Sequence, residues 1–524
     1  MTRWLAACLI AFASAALVPS VQAERVVYAV AIGNNAPPVT RTDLPLLHYA
    51  DDDAVRYYEL LRRAGTHAQL LTVLDASTER RFPGLSAQSS APTLGNLRRV
   101  LEAYRTSMQQ DRAHGREPVL FLTFSGHGAI SEQGEPFLAL GDENLTRTVL
   151  YDEILPAFAD MPIHLIFDAC EAGALVGARG AFDSTLDALH APLGADAAQL
   201  VHDRSLSRFP NVGALVASSA GEEAHEWSRI ESGVFTHEVI SALLGAADVN
   251  GDQRIEYSEV QSFVAAANRD VSDPRARPEV IALPPASNRH AVLIDLGQLH
   301  DVAFLRGDAG ALGRFHVELE NGLRWLEAHL DGKLEVVLAL PRGIEAYVRT
   351  ATRDAVVAAT TRELALNSLQ FAAPTDTGRG GIDSSYRKDL FRRPFGADYY
   401  RGFVDATGVP GVSFSRSRSP ALHDPTRSKV PAIVALSAGG AAAVVAVVTA
   451  ALALQTKADF DDTRLMRRAS ELDTRYRTLT TVSAVSLAVA ALGGASGCVL
   501  WPGAAVSSEQ HAGIALQLGL QGRW

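Results

Sequence analysis

Two short apolar runs in the first third of the chain each end abruptly in a reactive side chain. Val119-Leu120-Phe121-Leu122-Thr123-Phe124 leads into Ser125-Gly126-His127-Gly128, and Ile163-His164-Leu165-Ile166-Phe167 leads into Asp168-Ala169-Cys170-Glu171-Ala172-Gly173. Continuously apolar runs of this length, bounded by glycine and polar residues, read as strands buried on both faces, as in a parallel sheet. Val26 to Ile32, Gln69 to Leu74 and Gly213 to Ser218 read as further strands. Helical spacing falls between them, through Leu60 and Leu61, from Leu94 to Tyr104, from Thr236 to Leu244 and from Ser258 to Ala266. Strands alternating with helices predict an α/β fold.

The pattern changes near residue 298. Phe315, Val317 and Leu319 alternate with polar residues, and Leu334 to Leu340 and Ala346 to Val348 suggest more strands, so 298–428 is expected to be a β-rich accessory region. Two uninterrupted apolar stretches follow, 430–454 and 479–502, each long enough to span a bilayer and rich in Ala and Gly. They predict a transmembrane hairpin over 429–502. Its loop carries Lys457, Arg464, Arg467, Arg468, Arg475 and Arg477, while the tail over 503–524 has only Arg523, which places the loop in the cytoplasm. At the other end, Arg3, the apolar Trp4 to Val18 and Val21-Gln22-Ala23 read as a secretory signal peptide over 1–23. The expectation is an exported protein tethered to the inner membrane, its main domain on the periplasmic side. Ile514, Leu516, Leu518 and Leu520 in the tail alternate as a single strand would.

At 524 residues the chain is too long for one compact domain, and 47% hydrophobic residues suffice for a folded core. A net charge of −11 leaves no basic footprint and argues against nucleic acid as the main partner. Of the cysteines, Cys8 and Cys498 lie in terminal apolar stretches, so Cys170 is the one thiol expected in the water-soluble body. In parallel sheets ligands sit beyond the carboxyl ends of the strands, where His127 and Cys170 fall. A His and a Cys brought to one sheet edge make a thiol-based catalytic pair.

S-G-H-G after one strand and D-A-C after the next resemble the catalytic His and Cys segments of the caspase-like cysteine peptidases, and most of all the bacterial metacaspase-like (orthocaspase) subgroup. The resemblance covers about residues 24–297 and implies a three-layer α/β/α sandwich around a mostly parallel sheet. It implies Cys170 as nucleophile, His127 as proton shuttle, and the Gly128 and Cys170 N–H groups as oxyanion hole. It also implies Asp53 and Asp168 in the primary specificity pocket, with Ser125 beside them; Glu226 reads either as shaping that pocket or as part of a surface salt bridge. Carboxylates there would pair with a substrate Arg or Lys through charge-assisted bonds, so cleavage should follow basic residues. Asp51, Asp52 and Asp53 have a second reading as simple N-terminal caps of their helix. Ser232-Gly233-Val234-Phe235-Thr236 resembles the family's G-x-F-T segment. Glu171-Ala172 departs from the pattern, since relatives often carry a basic residue and Ser there. Arg179, Arg204 and Arg208 fit either self-processing sites or an uncut solvated loop. The rival reading is a weak or inactive caspase-like scaffold, or a calcium sensor.

Asp248, Asn250, Asp252, Arg254 (through its carbonyl), Glu256 and Glu259 fall at the ligand positions of an EF-hand loop over 248–259. Gln253 occupies the sixth position, where a sharp turn favours glycine. The segment reads as a calcium site or as a polar turn between helices. No motif for an organic cofactor is present, and the expected partners are a protein or peptide substrate and the membrane.

Overall fold

The computed structural model describes residues 24–38, 44–65, 67–177, 206–218, 226–271, 278–358, 360–373, 389–414, 443, 445–458 and 466–500. From the N-terminus, β1 (Arg25–Asn34), α1 (Ala50–Ala64), β2 (His67–Leu71), β3 (Ser89–Ser90), α2 (Leu94–Ala113) and β4 (Glu117–Gly126) come first. A meander of β5 (Gly128–Ile130), β6 (Pro136–Ala139) and β7 (Asn144–Thr146) leads to β8 (Ile163–Asp168), α3 (Ala172–Val176) and β9 (Val212–Ser218). The short ladder β10 (Glu226–Trp227) and β11 (Ser232–Gly233) precedes α4 (Val234–Ser241), β12 (Arg254–Glu256), α5 (Tyr257–Asn268), β13 (Glu279–Leu283) and β14 (Val292–Asp295). The central sheet has seven strands in the order β13-β9-β8-β4-β1-β2-β3. All its pairs are parallel except β13 with β9.

Period-two alternation divides this sheet into two faces. Tyr28, Val30, Ile32, Leu120, Leu122, Phe124, Leu165 and Phe167 share one apolar core with the α2 stripe of Leu94, Leu97, Leu101 and Met108. On the other face Phe121 meets His164, whose Nδ1 lies 2.7 Å from the Tyr257 hydroxyl of α5. Helices thus cover both faces, as the α/β expectation requires. Two boundaries differ from the sequence reading. β2 ends at Leu71 because Val73 turns out to solvent and Asp75 caps the next helix, accepting from Ser77 N and Thr78 N. α2 continues past Tyr104 because Met108 keeps the apolar stripe in the core.

The β-rich region forms two sheets. β18 (Val336–Pro341), β15 (Val302–Gly307) and β21 (Glu363–Ala365) make one; β17 (Arg324–His329), β16 (Arg314–Leu319), β19 (Glu345–Thr350) and β20 (Asp354–Ala358) make the other. The alternation in β16 is realised, with Phe315, Val317 and Leu319 all buried. These sheets belong to the same compact unit as the α/β sheet, Met1–Arg416. The change of pattern at 298 therefore marks a new layer rather than a separate body. Gly245, with φ +111°, lets the layers meet, since a Cβ there would stand 2.0 Å from the Val337 carbonyl oxygen. The expected helix reaches Leu244 by way of a π-helical turn over Ala242–Ala246, in which Gly245 lies outside helical geometry.

In the second unit, Ser417–Trp524, residues 445–458 are helical and a long helix spans Met466–Leu500. Ser483 Oγ donates to Ala446 O across 2.9 Å. Among the described residues no helix is long and apolar enough to cross a membrane. This differs from the expected hairpin, although both apolar stretches run partly outside the described residues. The signal peptide, the tail strand, Arg179 and Arg204 lie wholly outside them.

Candidate active site

β4 and β8 are adjacent, with Ser125 paired to Asp168 in register, so the chain leaves both strands at the same sheet edge. The exits need special backbone. Gly126 has φ +153°, and a Cβ there would stand 2.8 Å from the Phe124 ring and 2.9 Å from Asn34 O. At Gly128 a Cβ would stand 1.9 Å from the Cys170 carbonyl oxygen. The His turn and the Cys turn are therefore in backbone contact, and only glycine permits it. Just past the thiol, Glu171 holds φ +60°, a left-handed conformation costly for a side chain other than Gly or Asn. Cys170 is half-buried and in no disulfide.

His127 is 5% exposed, and its Nε2 lies 2.8 Å from Pro45 O. A carbonyl only accepts, so Nε2 carries the proton and Nδ1 keeps the lone pair of the neutral ring. Burial lowers the pKa of His127, while the Pro45 bond pulls the other way. The imidazole is thus a neutral base at pH 7, oriented by a backbone carbonyl. Its own carbonyl is pinned by Ala139 N at 2.9 Å. Pro45 had no signal in the sequence, because an acceptor on the main chain is the same for every residue type.

The acidic start of α1 is not a cap. Tyr49 precedes the helix without a side-chain cap bond, and Ala50 N donates to Asn35 Oδ1 instead. The three carboxylates diverge. Asp51 accepts from Asn35 Nδ2 and Asp75 N, and Asp52 from Thr78 Oγ1 and Arg81 Nη1. Asp53 accepts from Ser125 Oγ at 2.8 Å, Ser232 Oγ at 2.5 Å and Gly233 N at 3.1 Å. Asp168 Oδ2 accepts from Thr236 Oγ1 at 2.7 Å and Thr236 N at 3.1 Å. A Cβ on Gly233 would stand 2.5 Å from Asp168 Oδ2 and 2.9 Å from Asp53 Oδ2, so both carboxylates flank that one glycine.

Burial first, and then the Asp168 charge, raise the pKa of Asp53 well above the carboxylate range; bonds from Ser232 and Ser125 and the Arg56 charge oppose the rise. Burial likewise raises Asp168. Two like charges at such a distance favour sharing a proton, which an entering guanidinium or ammonium would expel. Asp168 keeps some solvent exposure and Asp53 has 1%, so Asp168 is the approachable member. Ser232, Thr236 and Arg56 were not foreseen as site residues. Glu226 accepts from His48 N and Tyr49 N at 2.8–3.1 Å, so it fixes the loop that carries Pro45.

The family model described as Caspase domain matches residues 26–288, half of the chain. The chain belongs to the caspase domain family. Its coarse reading is a cysteine-peptidase-like α/β protein with a mostly parallel sheet. No curated protein matches the chain. Among solved structures, caspase-1 from Spodoptera frugiperda is similar at 11% identity and a TM-score of 0.22, over 42% of this chain and 69% of that one. At that score the likeness adds nothing to the assignment.

Late in the caspase domain, the 248–259 loop folds on its own amides. Asp248 accepts from Gly251 N at 2.8 Å and Gln253 N at 2.9 Å, and Asp252 from Arg254 N at 2.9 Å. Glu259 accepts from Val249 N and Glu256 N, and Glu256 meets His290 Nδ1 at 2.9 Å. Gln253 takes φ +65°, so the turn expected to need glycine forms with a side chain. β12, inside the loop, pairs antiparallel with β14. Burial raises Asp248 to about 6 and Glu259 well above its usual value, and each of their charges is next to other carboxylates of the loop. Among the described residues no three His, Cys, Asp or Glu side chains are grouped as a metal-holding set.

Proposed function

We propose that the protein is a cysteine endopeptidase of the metacaspase-like kind, cutting after Arg or Lys. The contact of Gly128 with the Cys170 carbonyl carries the reading, because it joins the two motif turns at one edge. In this mechanism His127 takes the Cys170 thiol proton, and the resulting thiolate attacks the scissile carbonyl carbon, forming a tetrahedral intermediate. The N–H groups of Gly128 and Cys170 take the oxyanion, a contribution of about 3 kcal/mol per donor in comparable sites. His127 passes a proton to the leaving amine as the C–N bond breaks, leaving an acyl-enzyme. Water, deprotonated by His127, then cleaves the thioester and restores the thiol. Pro45 O supports the role of His127 by holding the tautomer. Asp53 and Asp168, both raised by burial and paired around Gly233, support a pocket for a cationic side chain.

Calcium remains a regulatory proposal, supported by the mutual repulsion of Asp248, Asp252 and Glu259, which a divalent ion would relieve. No catalytic step is routed through it. Export and membrane anchoring through 429–502 are proposed on the sequence pattern alone. The test is cleavage of paired fluorogenic peptides, Arg or Asp before the scissile bond, by the full chain and by Cys170→Ala, with calcium or chelator. Cys170-dependent cleavage after Arg is expected. Cleavage after Asp alone would sink the pocket and spare the enzyme. A folded protein that cuts neither would favour the scaffold reading, for which the acidic charge of Glu171 beside the thiol speaks.

A further inference from the structure

One helical turn beyond Asp53, α1 carries Arg56, 1% exposed and pointing into the β-rich layer. Its Nη2 lies 2.8 Å from His237 Nδ1 on α4 and 3.0 Å from Arg324 O on β17. Its Nε and Nη1 make no hydrogen bond among the described residues. A guanidinium only donates, so His237 accepts at Nδ1 and directs its Nε2 proton toward Glu327 Oε2, 3.6 Å away. Glu327 is already shared by Arg314 at 2.6 Å and Arg324 at 2.8 Å. Among the described residues the β-rich side therefore offers Arg56 no uncommitted carboxylate. The carboxylates that act on it most are Asp53 and Asp52, and Asp52 is paired with Arg81 at 2.8 Å. The charge balance of Arg56 lies on the Asp53 side.

We propose that the β-rich layer backs the Asp53/Asp168 pocket electrostatically, with Arg56 as the positioning residue that couples the two. Arg56, Arg314 and Arg324 set against one Glu327 leave an excess of positive charge behind α1, where it favours ionised carboxylates in front. α4 ties the layers mechanically as well: Thr236 bonds Asp168, and the next residue, His237, bonds Arg56. The other ionisable groups facing the pair are Tyr57, Glu226 and Glu238. Burial holds His237 at about 3, so it stays neutral across the assay range.

The proposal rests on the peptidase reading, and its test separates the two. In the full chain, kcat and KM for an Arg peptide are measured from pH 5 to 9. Removing a cation raises the pair's pKa, so Arg56→Gln should move the acidic limb of kcat/KM upward by about one unit. It should raise KM about tenfold with little change in kcat, and Arg56→Lys should restore most of the loss. Arg314→Gln, removing a partly exposed cation farther from the pocket, should move the limb the same way by less. A folded Arg56→Gln protein with wild-type KM and limb overturns the proposal. Should that variant not fold, an unmoved limb in Arg314→Gln overturns it. If the wild type cuts no Arg peptide, the peptidase reading fails, and carboxyl-carbon NMR titration of Cys170→Ala with and without Arg314→Gln decides this point. A lowered pair pKa in the Arg314-containing protein supports it, and identical titrations overturn it.

Discussion

Asp53 and Asp168 are held by donors from β4, β11 and α4, whereas Asp248 and Glu259 are held almost wholly by amides of their own loop. Burial raises all of these carboxylates, so burial alone does not distinguish the two places. The difference lies in what surrounds them. Asp53 and Asp168 meet hydroxyls that can reorient, the Arg56 cation of α1, and the Cys170 edge. The loop pair meets fixed backbone donors that a turn would make in any case. A perturbed carboxylate is a functional signal when its partners come from distant elements and converge on a reactive group.

The largest expected effect tests that contrast directly. Asp168→Asn or Asp53→Asn should lower kcat/KM for an Arg peptide about 100-fold, the loss of a charge-assisted bond to the substrate. Asp248→Asn, assayed without calcium, should stay within about threefold of wild type. Equal losses at both places would erase the distinction.

Next in size is the backbone. Gly128→Ala forces a Cβ onto the Cys170 carbonyl and should cost activity about 100-fold, with roughly 2–4 kcal/mol of stability in urea melts. Gly251→Ala in the loop, with open space around it and φ +74°, should cost only about 1 kcal/mol and little activity. A tolerated Gly128→Ala would break the site geometry.

Stability against pH comes third. Asp248 sits near 6 in the folded state, above the unfolded value near 4, so the fold binds this proton more tightly. Its contribution is fully present at low pH and is lost as pH rises through 6. Asp248→Asn should therefore stabilise the calcium-free protein by about 1–2 kcal/mol at pH 7.5, and the gain should vanish toward pH 4. A gain independent of pH would point to packing instead. The smallest effect belongs to Glu226→Gln, which keeps an acceptor for His48 N and Tyr49 N but loses the charge. A threefold or smaller fall in kcat is expected, and a larger one would draw Glu226 into the pocket itself.

What the sequence made legible follows the same line between local and distant partners. The β4 and β8 runs were readable because strands buried on both faces show their burial in composition, and His127 and Cys170 followed from where those runs stop. Asp53 and Asp168 were reached by resemblance. Ser232 and Thr236 bond them only because β11 and α4 fold back over a separation of more than 60 residues, which no periodicity records. Arg56 is the clearest omission: on an amphipathic helix an arginine reads as solvated, and nothing nearby in sequence announces that a β-rich layer will cover it. Gln253 erred the other way, since the glycine rule for its position was sound and the loop paid the strain regardless.

The bond from Arg56 to Arg324 spans 268 residues of chain. A ribosome that has just delivered Cys170 has delivered both motif turns, yet neither Ser232, Thr236 nor any strand behind α1. Long-range closures of this kind form late and slowly. Under the proposed function, a nascent chain would carry its nucleophile long before it could grip a basic substrate. Under that reading the order of synthesis would delay proteolysis.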